Sequence, residues 1–340
     1  MKTRVTKILV VGPAWVGDMV MAQSLFKTLK EIQPGCTIDV LAPVWSLPLL
    51  HRMPEVNQGL RIPTEHGQLS LRTRLSLGKS LRRQQYAQAI VVPRSWKSAL
   101  IPFWARVPMR TGFIGEFRHI LLNDIRRLDR EKLVTTVERF TALGHDAHTS
   151  MPPEIKYPQL SVNEGQGQFL LTKHGLDSSR PMAGFMPGAE YGPAKQWPAS
   201  YFAQLARELA EGGWQICIFG SHKDFSIGEE IQRLSGGRVI NMCGRTSLEE
   251  AVDLIAQTEI TVSNDSGLMH IAAAVGSKVV AVFGSSSPDY TPPLTAKAKI
   301  LTTNIECRPC FQRQCRFGHY RCLMDISVNK ALSSIHQLCP

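Results

Sequence analysis

The sequence predicts a two-domain α/β protein, each domain a parallel sheet wound on both faces by helices. Three observations carry that expectation. Short runs rich in Val, Ile and Leu alternate with amphipathic stretches, first along the N-terminal half and again along the C-terminal half. A length of 340 residues suits two domains of ordinary size. A polar, Gly-containing stretch at 154–179 separates the two series, as a linker carrying one helix.

In the first half, KILVV at 7–11 reads as a buried strand, followed by QSLFKTLKEI at 23–32 with Leu25, Phe26, Leu29 and Ile32 at helical spacing. TIDVL at 37–41, AQAIVV at 87–92 and residues 110–114 supply further strands, the second of these closed by Pro93. In the second half, strands are expected at 182–186, 214–219, 239–242, 259–262 and 278–283. SYFAQLARELAE at 200–211 is an amphipathic helix stopped by Gly212 and Gly213. A helix over 246–257 opens with Thr246 or Ser247 as its cap and Glu249 and Glu250 in its first turn. The domains are placed at 1–160 and 161–325, with a helix in 326–340 expected to pack back on the N-terminal domain.

Composition excludes several classes. With 43% hydrophobic and 20% charged residues the chain is neither disordered nor collagen-like. No apolar run reaches the ~18 residues of a membrane span. Lys2, Arg4 and Lys7 before an apolar run faintly resemble a secretory leader. That run is too short and is broken by Gly12 and Pro13, so a first strand in a cytoplasmic protein is expected. The 8 cysteines do not form a secreted framework.

The net charge of +11 is concentrated. Between Arg61 and Phe140, 16 Lys or Arg stand against 6 Asp or Glu. An anionic partner is implied, with a merely solvated basic face as the alternative. A nucleic-acid-binding protein is the competing class, given a pI near 9.4. Stacking aromatics do not interleave with the charge and no RNA-binding motif occurs, so no nucleic acid is expected.

Four loops carry candidate chemistry. GPAWVGD at 12–18 follows the first strand and lacks the second glycine of the dinucleotide fingerprint. Its Asp18 is either a helix cap or a functional carboxylate. PGAEYGPAKQWP at 187–198 offers Lys195, which neutralises a diphosphate without metal or is a surface lysine. SNDSGLMH at 263–270 leads into a helix whose first amides suit an anion. There Asp265 accepts from sugar hydroxyls, or Asp265 and Ser266 simply cap. His270 is a packed core histidine or a functional one. The Ser and Thr hydroxyls of GSSSPDYTPP at 284–293 line a polar pocket or a turn.

Cys307-x2-Cys310-x4-Cys315-x6-Cys322 is the second sharp feature. It suggests a structural zinc site, with His319 as a substitute ligand, and reduced thiols or disulfides as alternatives. Arg308, Arg313, Arg316 and Arg321 interleave and would lower thiol pKa values. Cys36, Cys217, Cys243 and Cys339 occupy isolated apolar positions.

The strings GPAWVGDMVMAQSLFKTLK, PGAEYGPAKQWP, TSLEEAVDLIAQTEITVSNDSGLMHIAAA and VAVFGSSSPDYTPPL resemble the bacterial ADP-heptose:lipopolysaccharide heptosyltransferases of glycosyltransferase family 9. The likeness extends over essentially the whole chain. It implies a GT-B fold, two Rossmann-like doubly wound domains facing across a cleft, the first receiving acceptor and the second ADP-heptose. It implies inverting transfer with no cofactor or metal in catalysis. The acceptor would be a phosphorylated Kdo-lipid A core at the cytoplasmic face of the inner membrane. The first heptose of the inner core is the expected acceptor sugar, with Kdo or a later core sugar as the alternative.

By the resemblance Asp18 is the general base and Lys195 binds the departing diphosphate. Asp265 contacts the donor heptose; Ser266, Gly267 and Leu268 form the diphosphate loop. Asp224 is the candidate for the ribose. Lys195→Ala is expected to lower turnover roughly a hundredfold with the fold intact. ALIPFWA at 99–105 either dips into the membrane interface or is a buried helix. A catalytically silent ADP-sugar binder is a third reading, disfavoured by the presence of Asp18 and Lys195.

Overall fold

Strands form where apolar runs are covered on both faces, and the two series of runs build two separate sheets. The computed structural model describes residues 6–63, 69–149 and 151–340; Lys2 and Arg4 of the leader-like stretch lie outside them. The chain divides into two units, Met1–Pro158 and Gln159–Pro340.

Among the described residues, the first unit holds β1 (Lys7–Val11), β2 (Thr37–Ala42), β3 (Val56–Arg61), β4 (Gln88–Val91), β5 (Met109–Phe113) and β6 (Asp124–Arg126). Their order is β3-β2-β1-β4-β5-β6, all parallel. Ile8 sits opposite Ile38 on one side and Gln88 on the other. The second unit holds β7 (Met182–Met186), β8 (Gln215–Ile218), β9 (Val239–Asn241), β10 (Ile260–Asn264), β11 (Lys278–Val282) and β12 (Ala298–Leu301). Its order is β12-β11-β10-β7-β8-β9, also parallel. Counted within each unit, both sheets share the doubly wound order 3-2-1-4-5-6, which reverses direction beside the first strand. The reversal falls between β1 and β4 in one unit and between β7 and β10 in the other.

The sequence pattern missed β3, β6 and β12. β3 and β12 are edge or near-edge strands with exposed polar positions, and β6 is three residues long. The first helix also begins earlier than its apolar spacing suggests, at Val16. Its first turns are buried nearly all round, Met19 to Phe26 inclusive, so no amphipathic stripe marks them. ALIPFWA runs from a helix Trp96–Trp104 into its C-cap Ala105; Ala99, Leu100, Ile101, Pro102 and Ala105 are buried, while Phe103 and Trp104 are half-buried.

The closing helix Val328–Leu338 packs in the core of the second unit. Its Val328, Ala331 and Ile335 enter the core beside Phe202, Leu205 and Val280. Trp197 ties this end to the sheet: its indole N–H donates to Ile326 O at 2.9 Å, and its ring meets Phe202 edge-on at 4.9 Å.

Candidate active site

Ligands of open parallel sheets gather at the carboxyl ends of the strands where the order reverses. Those ends carry the candidate residues in both units.

In the first unit, β1 leaves the sheet through Gly12, whose amide donates to Leu41 O at 2.9 Å. A Cβ there would stand 2.7 Å from Met19 Cε and 3.2 Å from Leu41 O, so a larger residue would have to displace the end of the Met19 side chain and crowd the Leu41 carbonyl. The helix then starts at Val16 with Trp15 as its extended N-cap. Asp18 therefore lies in the first helical turn, where the helix dipole favours a carboxylate. A pocket of about 320 Å³ opens over it, lined by Trp15, Trp45, Arg74, Lys97, Ser98 and Phe140 among others. The Trp45 indole donates to Ala14 O at 3.1 Å, pinning the loop before Asp18. Arg74 is buried; its guanidinium donates to Leu69 O at 2.7 Å, and burial pulls its pKa down. One carboxylate, two cations and two indoles suit a polyhydroxylated ligand bearing negative charge.

In the second unit, the loops after β7, β10 and β11 converge. Lys195 closes a 3-10 turn, Pro193–Lys195. Its Nζ lies 2.5 Å from Asp265 Oδ2, and Ser286 Oγ donates to the same oxygen at 2.6 Å. This ion pair is largely buried, with side-chain exposures of 17% for Lys195 and 5% for Asp265. Asn264 rivets the loops: its Oδ1 accepts from the Trp197 amide at 3.0 Å and its Nδ2 donates to Pro187 O at 2.7 Å. Ser266 is the N-cap of the helix Gly267–Ala274, but its side chain makes no capping bond. The first-turn amides of Gly267 and Leu268 are thus left to an anion. Neither Asp265 nor Ser266 is the simple side-chain cap that was the alternative.

Two buried groups in this cluster lack a hydrogen-bond partner among the described residues: Ser285 Oγ and His270 Nδ1. Burial pushes His270 down to about 4, with Asp265 opposing the shift and Lys195 reinforcing it. It is a neutral imidazole packed behind the ion pair.

Asp224 stands at the carboxyl ends of β7 and β8, against Gly188 and Gly220. A Cβ on Gly188 would lie 2.4 Å from Asp224 Oδ1. Its other oxygen accepts from the Ser221 amide at 2.8 Å and hydroxyl at 2.7 Å. One oxygen is committed to the local turn.

Among the described residues no three His, Cys, Asp or Glu stand where they could hold a metal ion. Cys322 is buried at the start of the helix Arg321–Met324, whereas Cys307, Cys310 and Cys315 are half-buried in the loop before it. His319 Nδ1 already accepts from the Arg321 amide at 3.0 Å. The cysteines are free thiols. Cys322 is pushed up by burial and then by Cys310, Cys307 and Cys315. At Cys315 burial acts upward, but the amides of Tyr320, Phe317, His319 and Gly318 together bring the thiol below its usual range.

The Cys-rich segment straps the loops around Lys195 and Ser286. Phe311 N donates to Ser285 O at 2.8 Å, and Ala194 N to Arg313 O at 3.1 Å. Arg308 donates to Gly284 O at 2.8 Å and to Ser286 O at 3.1 Å. Tyr191 OH donates to Phe311 O at 2.5 Å, and the Lys195 ammonium lies 4.9 Å from the Tyr191 ring centroid. Gly192, at φ 146°, has no room for a side chain, since a Cβ would reach within 2.6 Å of Arg313 O.

Sequence reasoning missed Trp45, Arg74 and Arg308 as lining or support, and named Lys97 only as a flank. Sheet order supplies the missing signal, because β2 and β4 both border β1.

Comparison with known proteins agrees with this geometry. The sequence profile described as Glycosyltransferase family 9 (heptosyltransferase) matches residues 74–321. The lipopolysaccharide heptosyltransferase 2 of Salmonella typhimurium is 46% identical, with 98% of each chain covered. The protein of the same name from Escherichia coli is 45% identical, again with 98% of each chain covered. The structure of the E. coli ADP-heptose LPS heptosyltransferase II superposes with a TM-score of 0.88 at 43% identity, covering 98% of each chain. Two parallel-sheet α/β domains of the GT-B type, with the motifs at both switch points, complete the correspondence. The chain belongs to glycosyltransferase family 9, the heptosyltransferases.

Proposed function

We propose that the protein moves L-glycero-D-manno-heptose from ADP-heptose to the first heptose of the lipopolysaccharide inner core, inverting the anomeric centre. The observation that carries the reading is the Lys195–Asp265–Ser286 cluster beside the open first turn of Gly267–Ala274. A cation and a helix N-terminus together make a diphosphate site. The near full-length likeness to proteins named heptosyltransferase 2 supplies the sugar and the acceptor.

In this reading the diphosphate takes over Lys195 from Asp265. The freed carboxylate then accepts from heptose hydroxyls, and the amides of Ser266, Gly267 and Leu268 hold phosphate oxygens. Asp224 offers its second oxygen to the ribose. In the first unit, the acceptor sugar occupies the pocket over Asp18. The acceptor hydroxyl oxygen bonds to the anomeric carbon as the bond to ADP breaks, and its proton passes to Asp18. Lys195 and the helix N-terminus offset the charge gathering on ADP, so the step needs no metal. The four thiols take no part in it.

The basic first unit suits a phosphorylated Kdo-lipid A acceptor, and in this reading the enzyme works at the cytoplasmic face of the inner membrane. No helix among the described residues is long and apolar enough to cross a membrane, so attachment would be peripheral.

The test is ADP release from ADP-heptose with lipid A core bearing Kdo alone, or Kdo plus one heptose, each with and without EDTA. Release only with the heptose-bearing acceptor, unaffected by EDTA, is expected. Release with the Kdo-only acceptor would move the protein to the preceding transfer. Loss with EDTA would refute the metal-free step.

A further inference from the structure

The segment 114–122 of the first unit presents apolar side chains to solvent on a rigid base. Phe117 is 99% exposed and Ile120 is 82% exposed, whereas Arg118 between them is 1% exposed. Arg118 points inward, and its guanidinium donates to the carbonyls of Phe113 and Pro93, with a longer bond of 3.5 Å to Ser95 O. Burial lowers its pKa to about 10, with Arg94 adding to the shift and Glu116 opposing it. The amides of Leu121 and Leu122 both donate to Arg118 O at 3.1 Å. The tip is therefore bolted down on both sides of its two exposed apolar residues.

Phe117 also sits at φ 25°, where a side chain with a Cβ is strained. Backbone strain and two solvent-facing apolar groups, held in one arrangement, mark a surface meant to be covered. Trp96, itself exposed, adjoins them through its amide, which donates to Glu116 Oε2 at 3.2 Å. The exposed Arg94 donates to Ile114 O at 3.2 Å beside the same tip. Leaving out the buried Arg118, the chain from Arg94 to Arg127 carries 6 Lys or Arg and 2 Asp or Glu.

We propose that this tip seats the protein on an anionic lipid surface, with Phe117 and Ile120 entering the boundary between headgroups and acyl chains. Arg94 and its neighbours meet the headgroups. Charge selects this occupant. A second copy would bring one cationic patch against another, and two projecting side chains fall far short of the ~800 Å² per partner of a stable protein interface. A bilayer requires only a shallow apolar wedge with a basic rim. Pro93 and Ser95, which accept from Arg118, also line the pocket over Asp18. A lipid-borne acceptor would thus meet its pocket one residue layer from the membrane, a link that rests on the function proposed above.

The experiment compares the wild type with Phe117→Asn/Ile120→Asn, asparagine being tolerant of the left-handed backbone at 117. Vesicles of phosphatidylcholine alone or with phosphatidylglycerol are sedimented with each protein. The wild type is expected to bind the anionic vesicles, and the variant to lose about tenfold in affinity per side chain removed. Activity on a deacylated, water-soluble acceptor is expected to be unchanged, while KM rises for the same acceptor embedded in vesicles. Equal vesicle binding by both proteins, or none by the wild type, would overturn the proposal. So would a shift from dimer to monomer in the variant, which would make the tip a self-interface. If vesicle binding falls as expected but the wild type transfers heptose to neither acceptor, the membrane tip stands and the acceptor assignment fails.

Discussion

The two units share one strand order yet treat their switch points in opposite ways. Over Asp18 the first unit keeps a pocket of about 320 Å³ walled by indoles and cations. At the matching position the second unit closes on itself through the Lys195–Asp265 ion pair, with Ser286 on the same oxygen. Topology thus says where a ligand sits, and the loops say what kind it is. In the function proposed above, one site takes a bulky sugar and the other an anion that draws Lys195 from its carboxylate.

The most severe way to break this comparison is Asp18→Asn. It should lower kcat by about 10³ while leaving ADP affinity by calorimetry unchanged. A variant that no longer binds ADP would put Asp18 on the donor side and erase the division of labour.

Lys195→Ala comes next, and the structure revises what to expect of it. Turnover should fall about a hundredfold. The fold should also weaken, because Asp265 would be left buried without its cation, at a cost of about 3 kcal/mol. Urea denaturation reads the second effect. Unchanged stability would show that the ion pair is solvated and that the donor site is as open as the acceptor pocket. Pairing the change with Asp265→Asn should recover stability but not turnover.

His270 sharpens the contrast through pH. Its folded pKa, about 4, lies below the ordinary 6.5. The stability it contributes is complete above about pH 6.5 and is lost as pH falls toward 4, by up to about 1.4 kcal/mol per pH unit. His270→Gln should flatten that part of the acid limb in urea midpoints measured at pH 7.5 and 5. An equally steep limb in the variant would mean that His270 is not the buried neutral group. The smallest effect is expected at Trp45→Ala, which should raise acceptor KM about tenfold and leave ADP affinity alone. An equal rise in ADP-heptose KM would show that the indole does not belong to a separate pocket.

Much of this is legible in the sequence. Strands such as KILVV and MAGFM are unbroken apolar runs because helices cover both faces of a parallel sheet. Asp18, Lys195 and Asp265 stood out because glycine and proline punctuate their loops. What hid was of two kinds. Edge strands such as VNQGLR carry polar residues on their open side and leave no apolar run. Partners assembled from distant segments leave no local trace: nothing near Arg308 announces that it will hold Gly284 and Ser286. The cysteine spacing brings the thiols near one another, since Cys310, Cys307 and Cys315 all act on the Cys322 thiol, and local sequence does not say that Cys322 alone of the four is buried.

The strap across the donor-side loops also sets an order in time. Trp45 reaches Ala14 across 31 residues, so the loop before Asp18 can settle soon after its own stretch of chain collapses. Tyr191 must wait for Phe311, 120 residues further on. Closing so long a loop is entropically slow and is rewarded only once the intervening strands are in place. The loop that carries Lys195 is therefore fixed only once the Cys-rich segment has been laid across it.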